Sequence, residues 1–123
     1  MNKGETILTT LITFQNQYRI FHWQTKSFSQ HKAFGMIYEE LSENIDDFVE
    51  SYQGKYGRII ATSTFEVSLD NYSEAFTESN EEFILFLTTE LPTYLDKSDT
   101  DLLNIRDEIL GGINQLKYLL TLG

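Results

Sequence analysis

The stretch HWQTKSFSQHKAFGMIYEELSENIDDFVE, residues 22–50, joins both histidines of the chain to its longest helical stripe. Phe34, Ile37, Tyr38, Leu41, Ile45, Phe48, Val49 and, just beyond, Tyr52 recur in steps of one, three and four, so they share one face of a helix with 3.6 residues per turn. Ser27, followed three residues later by Gln30, reads as a capping box that opens this helix, and the helix should stop around Gly54 to Gly57. At about 1.5 Å of rise per residue it is on the order of 40 Å long, a full bundle length.

Upstream, from about Glu5 to Gln24, Ile7, Leu11, Phe14, Tyr18 and Phe21 form a second stripe of the same period. That helix gives way near Lys26, so the break between the two is short. Downstream, from Gly57 to Ser73, the helical period is lost, and Phe65, Val67 and Leu69 alternate with Glu66, Ser68 and Asp70 as in a short extended segment. At up to about 3.3 Å per residue this connection can reach roughly 55 Å, enough to run back along a bundle.

A third helix is expected from about Glu74 to Glu90, with Phe76, Phe83, Leu87 and Leu91 inward and Pro92 ending or kinking it. Ser98 with Asp101 marks another start, and Leu102, Ile105, Ile109, Ile113, Leu116 and Leu120 give the fourth stripe. Gly111 and Gly112 inside it cost about 1 kcal/mol each relative to Ala, which a close helix approach or a local irregularity would offset. Residues 1–123 therefore read as one all-α domain: a four-helix bundle with a long crossover between helices 2 and 3, the ferritin-like connectivity.

Composition agrees. With 41% hydrophobic and 14% aromatic residues and a single Pro, the chain can bury a sizeable helical core. No window reaches the run of about 18 apolar residues that spans a bilayer, and the amino terminus lacks a signal-peptide pattern, so a cytoplasmic protein without membrane contact is expected. Having no cysteine, it can form neither a disulfide framework nor a thiolate metal site, and any metal must sit among His, Asp and Glu. A net charge of −10 and scattered basic residues argue against direct nucleic-acid binding, which depends on Lys and Arg neutralising phosphates. The spacing supports neither a Ser/His/Asp triad nor a Gly-rich phosphate loop.

What remains is the relation of His22 and His31, which flank the same short break, to Asp46 and Glu50, one turn apart on the second helix and able to face a common ion. Acid pairs of this spacing recur at Glu39 with Glu43, Glu43 with Asp47 and Glu78 with Glu82, so only the combined pattern is informative. His31, Asp46 and Glu50 fan out from the shoulder of the apolar stripe toward a flank of the bundle. Along one straight helix His31 and Asp46 are about 22 Å apart, so a single chain cannot bring both to one ion, whereas a two-fold partner packed antiparallel could. Glu-x-x-His pairs around an in-bundle metal centre are excluded, since Arg19 and Phe28 stand three residues before the histidines.

His22-Trp23, Phe28, His31, Tyr38, Asp46 and Glu50 resemble the site segment of the miniferritins, the DNA-binding proteins from starved cells, in the steps of fifteen and four that follow the second histidine. The resemblance implies an intersubunit iron-oxidising centre, with His22 and His31 as ligands from one chain, Asp46 and Glu50 as ligands from its neighbour, and Trp23 close by as a redox-buffering aromatic. It also implies a homo-oligomer, a two-fold dimer at least and a dodecameric shell at most. Three features depart from that pattern. The turn between the histidines is about three residues shorter, Gly35 stands where the family commonly has an acid, and the Lys-rich tail of some members is missing. The wording at His22 to Lys26 and at Tyr52 to Gly57 also looks like a group of uncharacterised, often virus-encoded proteins.

Two functions follow as expectations. One is miniferritin-like binding and oxidation of iron (Fe²⁺ to Fe³⁺) for storage or oxidative protection, at a His/carboxylate site that Zn²⁺ or Mn²⁺ would also fit. The other is a non-enzymatic ferritin-like bundle that oligomerises or binds a partner through the same flank.

Overall fold

The computed structural model describes residues 1–123, an all-helical chain with four main helices and no strands. Helix α1 (Lys3–Gln24) starts two residues earlier than the apolar stripe announces, because the Asn2 side chain accepts the Glu5 N–H at 2.8 Å and caps it. Helix α2 (Phe28–Tyr56) opens on Ser27, whose hydroxyl accepts the Gln30 N–H at 3.3 Å. The expected capping box is only half made, since the Gln30 side chain accepts instead from Thr25 and Tyr72, both at 2.7 Å. α2 ends at Gly57, whose φ of +90° is the only positive value in the chain and strongly favours glycine.

The four stripes meet in one core. Phe14 and Phe83 stack at 4.4 Å, and Phe34 lies 6.1 Å from Tyr18, 5.5 Å from Phe21 and 5.7 Å from Phe76. Tyr18 is fully buried and donates to the equally buried Asn80 at 2.8 Å, so its hydroxyl is satisfied while burial pushes its pKa above the ordinary tyrosine value.

The α2–α3 connection is tied to α1 by side chains. Asn2 donates to the Ile60 carbonyl, Glu5 accepts from Thr62, Gln17 bonds both the N–H and the carbonyl of Asp70, and Gln24 accepts from the Tyr72 N–H. It delivers the chain to α3 (Phe76–Leu85), beside the α1–α2 turn.

The third helix departs from its expected span of 74–90. It is α-helical only from Phe76 to Leu85, widens into a π turn over Phe86–Glu90, and tightens into a 3₁₀ turn over Leu91–Tyr94, so helical backbone continues past Pro92. Proline has no N–H and its ring crowds the carbonyl four residues back, and the wider turn before it relieves both problems. The Leu91 N–H goes to the Phe86 carbonyl, and Arg106 of the last helix donates to the Leu87 carbonyl at 2.9 Å, a partner that Pro92 cannot supply.

Helix α4 (Thr100–Leu119) does not start on the expected Ser98 cap, for Asp99 precedes its first residue without capping it. The Asp99 carboxylate, fully buried, is directed to Lys55 and Tyr56 at the end of α2 and accepts the Asp96 N–H at 2.8 Å. The hydrogen bond from Lys55, followed by that from Tyr56, holds its pKa down at about 2 against an ordinary 3.8. A carboxyl depressed in this way stabilises the fold fully above the unfolded pKa and loses that contribution as pH falls through the folded one. Urea midpoints are therefore expected to drop between about pH 4 and pH 2, with part of that drop missing in Asp99→Asn. A variant whose acid limb overlays the parent's would show that this clasp contributes nothing. Along the rest of α4, Gly112 lies where an added Cβ would meet Ile37 and Glu40 of α2 at 3.3 and 3.1 Å, the close approach expected of it, while Gly111 faces open space.

Candidate functional site

The turn between α1 and α2 spans only residues 25–27, so the last turn of α1 and the first turn of α2 lie side by side. That places His22 against His31. Their rings stack with centroids 4.0 Å apart and planes 15° from parallel. Each ring nitrogen Nδ1 bonds the other residue's backbone carbonyl, His22 to His31 at 2.7 Å and His31 to His22 at 2.8 Å. A carbonyl oxygen only accepts, so both Nδ1 atoms carry hydrogen and each neutral ring keeps its Nε2 lone pair free. Fixing a histidine through Nδ1–H to a carbonyl is the usual way its Nε2 is prepared for a metal.

Gly35 is what lets the His22 ring lie there. A Cβ at this position would come within 2.9 Å of both Cε1 and Nδ1 of His22, closer than real Cβ contacts allow. The glycine found where the resembling family commonly carries an acid thus coincides with a ring crossing α2 at that point. An acidic side chain at 35 and His22 in its present position exclude each other.

Asp46 and Glu50 lie far from the histidines, exposed on the same unbroken α2, which runs from residue 28 to 56. No group of three or more His, Asp or Glu side chains within the chain is gathered so as to hold a metal. The structure therefore brings two of the four site residues together and leaves the two acids at a distance.

Arg19 is a neighbour that the sequence reading used only to exclude a motif. Its guanidinium stacks 4.5 Å over the ring of Trp23, which is 60% exposed, lies 5.1 Å from the ring of Tyr38, and donates to the Tyr38 hydroxyl at 3.0 Å. The signal was the step of four from Arg19 to Trp23, which puts both on one face of α1. Phe28, 73% exposed, borders His31 at 6.4 Å and lies under Lys32. This end of the flank is thus aromatic and cationic, with Arg19 on Trp23 and Tyr38, Lys32 on Phe28 and Lys26 exposed in the turn, while Asp46, Asp47 and Glu50 further along α2 are acidic.

Fold and site define an all-helical bundle with a paired-histidine flank and no helix long and apolar enough to cross a membrane. The chain belongs to the family of unknown function DUF5856, whose model matches residues 22–120 and so begins at His22. It is similar to an uncharacterized 14.6 kDa protein from the mobD-ri intergenic region of Enterobacteria phage T4, at 31% identity over 121 residues, 98% of this chain and 90% of the phage protein. No solved structure matches it. The family and the phage relative agree with the expectation of an uncharacterised, virus-encoded type of protein, and neither supports a relationship to the miniferritins.

Proposed function

We propose that this chain is a ferritin-like bundle that binds and oxidises iron in the manner of the miniferritins, at a site shared between two copies. The observation that carries this reading is the reciprocal histidine pair, which presents two Nε2 lone pairs with both Nδ1 atoms already engaged. The α2–α3 connection supports the ferritin-like part, since its side-chain ties follow α1 from Asn2 to Gln24, the course of a long crossover. Charge supports the pairing of copies. An antiparallel second copy would lay the cationic end of one α2 on the Asp46, Asp47 and Glu50 end of the other.

In such a pair, His22 and His31 of one copy and Asp46 and Glu50 of the other would hold ferrous iron as substrate. Imidazole nitrogen with hard carboxylate oxygen suits Fe²⁺, and Zn²⁺ or Mn²⁺ would compete for the same donors. Each ferrous ion gives up one electron. Two such events reduce one peroxide, which takes up two protons and leaves as two waters, and four reduce one O₂, which takes up four protons and leaves as two waters.

The hydrogen bonds themselves favour a second reading, in which the histidines only staple α1 to α2 and the flank serves oligomerisation or a partner. One experiment separates the two. Fe²⁺ is added aerobically to the protein and ferric absorbance followed beside a His22→Ala/His31→Ala double variant of verified helicity. The parent is expected to oxidise iron well above buffer and the double variant at the buffer rate. Parent and variant both matching buffer would sink the iron reading and leave the staple. Light scattering is expected to give a mass of at least two chains, because a stable monomer cannot complete the site.

A further inference from the structure

Residues 64–70, Thr-Phe-Glu-Val-Ser-Leu-Asp, form a stretch of chain with open edges. From Ile60, tied to Asn2, to Tyr72, tied to Gln24, the connection follows α1 without forming a helix or strand of its own. The stretch is held near its ends. Glu5 accepts from the Thr62 N–H and hydroxyl, and Gln17 bonds the N–H and carbonyl of Asp70, both at 2.8 Å. Between these anchors no backbone N–H or carbonyl of residues 63–69 has a partner within the chain. Phe65, Val67 and Leu69 are 43%, 45% and 39% exposed, a half-covered apolar row that alternates with the exposed Glu66 and Ser68. A stretch of chain with free backbone groups and an alternating apolar row can take up strand pairing with a second such stretch.

We propose that residues 64–70 dock a second copy of this chain by antiparallel strand pairing about a two-fold axis at Val67. The sequence is self-complementary in that register. Phe65 falls opposite Leu69, Val67 opposite Val67, Glu66 opposite Ser68 and Thr64 opposite Asp70 of the second copy. Both apolar pairs lie on one face, and no two acids stand opposite one another. Parallel in-register pairing would instead set Glu66 on Glu66 and Asp70 on Asp70, in a chain that already carries a net charge of −10. This surface uses none of the residues of the α1–α2 flank and does not rest on the iron reading.

The chain has no cysteine, so a single Val67→Cys reports the axis directly. Under mild oxidation this variant is expected to cross-link into a dimer several-fold faster than Asn114→Cys, placed at an exposed position of α4. In the unmodified protein, alternate amides among residues 64–70 are expected to exchange more slowly as protein concentration rises. Val67→Lys, which sets two like charges opposite each other, should abolish that protection while far-UV circular dichroism stays unchanged. The cross-link should persist in Asp46→Ala/Glu50→Ala, which separates it from the flank site. Cross-linking no faster than that of Asn114→Cys, with amide exchange independent of concentration, would overturn the proposal. So would protection that appears only when an extended Lys-rich peptide is added, since the occupant would then be another chain.

Discussion

Phe34→Ala is expected to lower the unfolding free energy by about 3–5 kcal/mol, the cost of emptying a fully buried phenylalanine position. Phe34 has no solvent exposure and touches aromatic rings from α1 and α3 at once, Tyr18 and Phe21 on one side and Phe76 on the other. The cavity would open where three helices and the α1–α2 turn converge, and the rings around it are themselves packed, so collapse can recover little. Against a total stability of roughly 5–15 kcal/mol for a domain of this kind, the loss is a large fraction of the whole. Urea unfolding should show a lower midpoint with an unchanged slope. Phe28→Ala, at a site 73% exposed, is the matched control and should stay within about 0.5 kcal/mol of the parent. A Phe34→Ala loss below about 1 kcal/mol would mean that this end of the bundle is not closed as described.

Gly35→Ala is expected to have the opposite profile, with little change in stability and loss of the histidine pair. The added Cβ would sit 2.9 Å from two atoms of the His22 ring, and a half-buried ring on flexible torsions can swing away where backbone could not. Replacing a mid-helix glycine gains about 0.8–1 kcal/mol of helix propensity. Losing the His22 bond to the His31 carbonyl costs about 0.5–1.5 kcal/mol, so the two nearly cancel. The site has no such compensation, because His22 Nε2 no longer points with that of His31. Iron oxidation should fall to the rate of the double-histidine variant, and nitrogen-detected NMR should show His22 losing its fixed Nδ1–H tautomer. Oxidation at the parent rate in a variant whose His22 signals have moved would separate the pair from any iron chemistry.

The histidine pair was legible in the sequence only as proximity. His22 and His31 flank a short break, which says that they are near, but stacking with crossed hydrogen bonds depends on how closely two helices approach, and Gly35 sets that distance. Read by pattern alone, Gly35 is a missing acid. Read in the structure, it is the clearance for a ring. Asp99 was missed for a related reason. Next to Ser98 and Asp101 it looks like one more polar residue of a helix start, and only the meeting of α2 and α4 buries it beside Lys55 and Tyr56. Pro92 announced a break but could not say that a π turn and Arg106 would carry the helical backbone past it.

By itself the sequence determined the four apolar stripes, the short turn after the first, the long connection after the second, and the separation of His31 from Asp46 along one helix. These follow from the 3.6-residue period and the 1.5 Å rise, which are properties of local backbone geometry. Only the tertiary structure decided which polar groups meet: His22 with the His31 carbonyl, Gln17 with Asp70, Arg106 with Leu87, Asp99 with Lys55. Such contacts join residues distant in sequence. Their partners are chosen by the packing distance and rotation of whole helices, which no local period encodes.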